Sequence, residues 1–215
     1  MKQSESDKIL NKILKEESKI LGWKFARGFV FKKEKDTFFT ILITGVPKIK
    51  RLSWSLTFKH YDFDEIFWDI VKLPENKSQP LSFRACGAWV APSIEAVNGY
   101  EVLEEWEEQA ISKIVKKAFE DLNRLSLEIA SSNVSYESNL EMVENYYTQI
   151  MKKHPNAVLT IWKEKLLTCL LLGNKEKASE IATSRINAGD MGGFNFAGSS
   201  FFQLAKEYID NVKHT

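Results

Sequence analysis

Histidine is scarce in this chain. His60, His154 and His214 are its three copies among 215 residues. Catalytic and metal-binding constellations need several nitrogens or sulfurs at set spacings, so three scattered imidazoles leave them few options. Cysteine is scarcer still: Cys86 and Cys169 lie 83 positions apart in apolar surroundings, with no Cys-x-x-Cys pairing. That excludes a disulfide framework and points to reduced core thiols of a cytosolic protein. No Gly-x-Ser-x-Gly and no His-Glu-x-x-His occurs, which removes two common hydrolase signatures. No apolar run approaches the ~18 residues that cross a bilayer. Charge of one sign is lacking too: 30 basic and 29 acidic residues give a net +1, with no global pull toward nucleic acid or membrane. The opening stretch MKQSESDKILNKILKEESK has no continuous apolar region, so neither a signal peptide nor an anchor is expected. The sequons at Asn76 and Asn133 are accordingly read as unmodified.

What is present is the patterning of a globular α+β protein. Ile9, Leu10, Ile13, Leu14, Ile20 and Leu21 recur on one helical face, with Ser4 and Asp7 as a capping pair and Gly22 as a left-handed stop. Period-two segments follow at 25–33 and 37–44, joined by Glu34-Lys35-Asp36 as a hairpin link. Leu52, Trp54, Leu56 and Phe58 alternate with Ser53, Ser55, Thr57 and Lys59, one buried face against one wet face. A fourth strand is expected at 81–90, with Trp89 on one of its faces, ending at Pro92. From about Val102 a stripe of Leu103, Trp106, Ala110, Ile111, Ile114, Val115, Ala118, Phe119 and Leu122 predicts a long helix. Residues 130–138 read as a linker. Helices then begin at Ser138 (boxed with Glu141), Asn156 and Asn174, and the last covers 200–212.

The stretch KHYDFDEIFWDIV, residues 59–71, packs His60 with Asp62, Asp64, Glu65 and Asp69. Its spacing is that of a strand end and a helix start. Asp62 with Glu65 forms an acidic capping box, and Tyr61 with Ile66 a hydrophobic staple. Asp64 and Glu65 suit the positive end of the helix dipole. His60 falls on the apolar side of the preceding strand as a hydrogen-bonded core histidine. With no second nitrogen or sulfur nearby, no metal site is predicted. Trp68 lies off the helix's apolar stripe, so it either packs beneath the C-terminal helices or anchors a partner, together with Asp69.

RGFVF at 27–31 begins like the RNA-recognition signature and then slips register. Charge segregation favours nucleic acid more: residues 24–60 hold nine bases against Glu34 and Asp36, with Lys48, Lys50 and Arg51 as the contact candidates. That reading requires the bases to share one face; the competing one is charge-protected strand edges. Glu101, Glu104, Glu105, Glu107 and Glu108 surround Trp106 as a solvated helix start. The glycines of GDMGGFNFAGSSFF, 189–202, fit no phosphate-binding pattern. They read as a helix connection pinned by Phe194 and Phe196, with a ligand lid as the sharper alternative.

The order helix, Leu21-Gly22-Trp23-Lys24-Phe25, aromatic strands and helix over about residues 5–125 resembles the uncharacterised bacterial domain-of-unknown-function family 4304. That family brings no established active site. LLGNKEKASEIA, 171–182, resembles the inter-helix turn of one tetratricopeptide hairpin near 157–188. Gly173 matches its turn glycine, Ala178 its small packing position and Trp162 its bulky first-helix position.

The expectation is therefore an α+β fold. Residues 1–130 form a helix–sheet–helix domain, with about four antiparallel strands covered by a long helix, and 131–215 a helical appendage packed on it. The function expected is that of a cytosolic, non-enzymatic protein-binding module, as in a bacterial accessory or toxin-neutralising locus, with no cofactor and a protein partner. The alternative is a hydrolase site assembled from His60, Arg84 and Glu101; the second alternative is nucleic-acid binding through the basic strands 24–60.

Overall fold

The computed structural model describes residues 2–87, 90–132, 134–156, 161–196 and 198–212. In chain order the elements are α1 (Gln3–Ile20), β1 (Lys24–Ala26), β2 (Phe29–Glu34), β3 (Thr37–Val46), β4 (Arg51–His60), α2 (Asp62–Ile70), α3 (Phe83–Cys86), β5 (Ile94–Val102), α4 (Glu108–Ser131), α5 (Tyr136–Lys153), α6 (Trp162–Leu171), α7 (Lys175–Asn187), β6 (Asn195–Phe196), β7 (Ser199–Ser200) and α8 (Phe201–Val212). The fold is α+β, as the periodicities predict. The chain divides into two compact units: Met1–Lys59 with Pro80–Ala88 and Ser93–Val134, and His60–Gln79 with Trp89–Pro92 and Ser135–Thr215.

The first unit is a five-stranded antiparallel sheet in the order β1-β2-β3-β4-β5. Gly22 stops α1 at φ +73°, as its position predicts. The expected strand at 25–33 is two strands. Arg27 and Gly28 between them both adopt positive φ, the two-residue turn that matches strand twist. One sheet face carries Val30, Ile41, Ile43, Leu52 and Leu56, all buried. On that side Trp23 meets Phe119 of α4 edge-on at 5.9 Å, and the Trp23 indole N–H donates to Asn123 at 2.8 Å. Burying such side chains supplies the main stabilisation, about 25 cal/mol per Å² of apolar area.

The opposite face departs from the expected wet side. At the Phe31–Phe38 end it is buried, and Lys59 there is 2% exposed. Its ammonium donates to the Arg84 carbonyl at 3.4 Å and lies 5.8 Å from the Phe38 ring centroid. At the other end Leu42, Thr44 and Val46 of β3 point out, beside Arg51, Ser53 and Ser55 of β4.

Four boundaries are corrected. Residues 83–86 form a helical turn, not a strand: Cys86 and Gly87 donate to the carbonyls of Ser82 and Phe83. Trp89 and Ala88 lie outside the described residues. The fifth strand is Ile94–Val102, whose alternation is hidden by a bulge: Leu56 faces Val97 and Thr57 faces Glu95, so Ala96 is the extra residue. The long helix accordingly begins at Glu108, because β5 continues through Val102 and the Leu103 N–H donates to Lys50. At the start of α1 it is the Glu5 carboxylate, accepting from the Lys2 backbone N–H at 2.9 Å, that satisfies the first turn, not Ser4.

The second unit is helical. The neighbours α5–α6, α6–α7 and α7–α8 pack in sequence, and α2 lies against α6 and α8. Phe67 stacks on Phe201 at 5.7 Å and meets Phe194 edge-on at 6.0 Å. Ser135, not Ser138, caps α5, its side chain accepting from the Ser138 N–H. Asn174 caps α7 as predicted, after a turn through Gly173 at φ +75°. The expected cap Asn156 precedes residues 157–160, which lie outside the described residues. In the glycine loop, β6 and β7 pair as a short hairpin and Phe194 is buried; Ala197 lies outside the described residues.

Candidate binding surface

The acid-rich stretch that opens the second unit is structural in detail. His60 is buried and its ring centroid lies 4.5 Å from that of Tyr136. Its Nδ1 accepts the Asp62 N–H at 3.3 Å, so Asp62 is the first helical residue rather than the cap, and its carboxylate accepts the Tyr136 hydroxyl at 2.7 Å. The predicted acidic capping box is not formed. Asp64, expected to complement the helix dipole in the first turn, is fully buried and accepts the Ala91 N–H at 2.7 Å. Trp68 is 1% exposed: of its two predicted fates, packing is the one observed. Asp69 pairs with Lys77 at 2.5 Å. Burial, with Asp69 nearby, raises the Tyr208 phenol above its ordinary value.

The hydrolase trio does not assemble. Glu101 faces Leu52 near the start of β4, whereas Arg84 is buried beside Lys59. Lys59 lies seven positions along the strand from Leu52, about 23 Å. His60 is the last residue of β4 and opens the second unit.

The basic residues of 24–60 do not share a face. Lys32 pairs with Phe39 in register and Lys33 with Phe38, so their side chains leave the sheet on opposite sides. Lys32 lies 4.8 Å over the Trp23 ring, and its burial there lowers its pKa. Lys48 is exposed on the turn before β4. Lys50 donates to the Glu104 carbonyl and pairs with Glu105. Arg51 lies 4.1 Å over the Tyr100 ring and donates to Ser53.

What the first unit does present is the end of its sheet at β5. On one face, Leu42, Val46, Tyr100 (61% exposed) and Val102 (60% exposed) are open to solvent, and a shallow hollow of about 220 Å³ is lined by Leu42 and Tyr100 with Thr44, Ser53, Ser55 and Asn98. On the other, a groove of about 690 Å³ runs between β5 and α4, with Val102, Leu103, Ala110 and Ile114 as its apolar part and Glu101, Glu104, Lys113 and Lys117 at its margin. Gly99 is required at this end: a Cβ there would lie 2.7 Å from the Trp54 indole. Sequence reading missed this surface because β5 itself went unrecognised. The available signal was Tyr100 and Val102 recurring two residues apart.

The second unit holds a different arrangement. Tyr147 donates to buried Glu164 at 2.9 Å, while Glu164 Oε2 and Thr168 Oγ1 have no partner. Burial raises the Glu164 carboxyl above the usual glutamate value, and burial with Glu164 raises the Tyr147 phenol. Among the described residues, no group of three or more His, Cys, Asp or Glu side chains is placed to hold a metal ion. Nor is any helix among them long and apolar enough to cross a membrane. Compared with protein-family models, curated proteins and solved structures, the chain matches none.

Proposed function

We propose that the protein is a binding module for another protein, and that its contact surface is the β5 end of the sheet in the first unit. The observation that carries this is the set Leu42, Val46, Tyr100 and Val102, apolar and exposed on β3 and β5, the two strands that flank β4. Apolar side chains grouped on one face and bordered by polar groups mark interaction sites more often than isolated ones do. An exposed tyrosine beside an arginine also has the composition of an interface anchor. A cytosolic setting and a bacterial accessory or toxin-neutralising role belong to this proposal; the two free cysteines support the first, and the mixed-charge, aromatic-rich chain motivates the second.

The test is a photo-crosslinking residue placed at Tyr100, with a control at exposed Glu180 of α7, in the cells that make the protein. A protein adduct formed at position 100 and not at 180 is the expected result. Equal labelling at both positions, or none at 100, contradicts the proposal.

A further inference from the structure

The backbone of β5 specifies more than an apolar patch does. Because the Leu103 N–H donates to the Lys50 carbonyl, and register pairs Glu101 with Leu52 and Gly99 with Trp54, residues 99, 101 and 103 turn their main-chain groups toward β4. The antiparallel ladder alternates, so Asn98, Tyr100 and Val102 turn theirs away. β5 is the last strand of the sheet, and among the described residues no backbone bond from another element reaches those three. They lie beside the groove that separates β5 from α4. Such an edge is a template for an incoming strand.

Charge selects among strands. Residues 94–108 hold six acids and no base. Glu105 and Glu108 are paired with Lys50 and Lys12; among the described residues no cation lies within ion-pair distance of Glu101, Glu104 or Glu107. A second copy of the chain is a poor occupant. Antiparallel self-pairing adjoins two strands that each carry Glu95 and Glu101 and no base, so it accumulates like charge along the seam. Lys113 and Lys117 stand on the helix side of the groove, so a base on the incoming strand belongs opposite Glu101, on the strand side.

We propose that β5 takes up an extended peptide segment as a sixth strand, with lysine or arginine opposite Glu101 and apolar residues against Tyr100, Val102 and the groove. This rests on the binding-module reading and gives its partner a chemistry.

Fluorescence anisotropy with three labelled peptides of roughly eight residues tests it on the full chain. One alternates lysine and valine, one alternates glutamate and valine, and one is the lysine peptide N-methylated at every amide. The lysine peptide is expected to bind, with the glutamate peptide and the methylated peptide each weaker by about tenfold or more. Val102→Pro, which removes an outward N–H, is expected to weaken the lysine peptide by a similar factor. Val102→Ala, which keeps it, should cost under about threefold. If Val102→Pro does not fold, the methylated peptide still decides the matter, since it leaves the protein intact. Equal binding of native and methylated lysine peptides overturns strand addition while leaving a charged contact surface in place. Equal binding of lysine and glutamate peptides overturns the charge selection. No binding by either, or self-association as the only behaviour, overturns the proposal, and the binding-module reading then stands or falls on the crosslink at Tyr100.

Discussion

At one edge of the sheet β1 is three residues long, begins with Lys24 and folds straight into β2 through Arg27 and Gly28. At the other, β5 runs nine residues without lysine, arginine or proline. Short edges and edge lysines are the usual devices that keep sheets from pairing with foreign strands. The β1 edge has both and the β5 edge has neither; its one concession is the bulge at Ala96, which leaves the six residues from Val97 to Val102 regular. The neighbourhoods differ in the same sense. Beside β1, Trp23 is buried against Phe119 and hydrogen-bonded to Asn123. Beside β5, the Tyr100 ring is open to solvent under Arg51. One edge is built into the core and the other is left available, so the same substitution carries different costs at the two places.

The largest effect should follow from breaking the closed side. Trp23→Ala removes a buried indole with its hydrogen bond and is expected to cost about 3–5 kcal/mol, read by urea unfolding; a loss below about 1 kcal/mol would show that β1 is not held by the core. Gly99→Ala comes next. Its Cβ needs the Trp54 ring to move, at an expected cost of about 1–3 kcal/mol, with loss of binding at β5 beyond the loss of stability. Glu164→Gln, in the second unit, is the control with opposite sign. The raised carboxyl holds a proton in the folded state that the unfolded chain releases, so wild-type stability is full below the ordinary value of 4.5 and declines as pH rises through the folded value. The glutamine variant should lack that decline and be more stable than wild type near pH 8, with β5 binding unchanged. Identical pH profiles in thermal melts would remove Glu164 as the cause. Tyr100→Ser should change stability least, within about 1 kcal/mol, while reducing partner capture most.

The sheet's interior was legible in the sequence because its strands obey the simple period. Thr37–Val46 and Arg51–His60 alternate apolar and polar residues, and the stripe from Ile111 to Leu122 marks the covering face of α4. β5 was not, and the reason is local. The bulge at Ala96 breaks the alternation, and Asn98-Gly99 is the dipeptide of a turn rather than of a strand. Lys59 reads by alternation as part of a wet face, yet it is buried, as are Asp64 and Arg84. Nothing in a period reveals a buried ion that the fold provides with partners. Trp68 misled for a related reason. An amphipathic stripe assumes one covered face, whereas α2 buries Phe63, Asp64, Phe67, Trp68 and Ile70 around more than one side. The predicted anchor therefore became core, and the exposed aromatic on the sheet is Tyr100, which no pattern singled out.

Amide hydrogen exchange resolved by residue across β5 tests the open edge most directly. In the free protein, Gly99, Glu101 and Leu103 should exchange slowly, held by the ladder to β4, while Asn98, Tyr100 and Val102 exchange fast; adding the lysine–valine peptide should slow the second set. Protection of Asn98, Tyr100 and Val102 equal to that of their neighbours in the free protein would mean the edge is already covered, and would contradict the account.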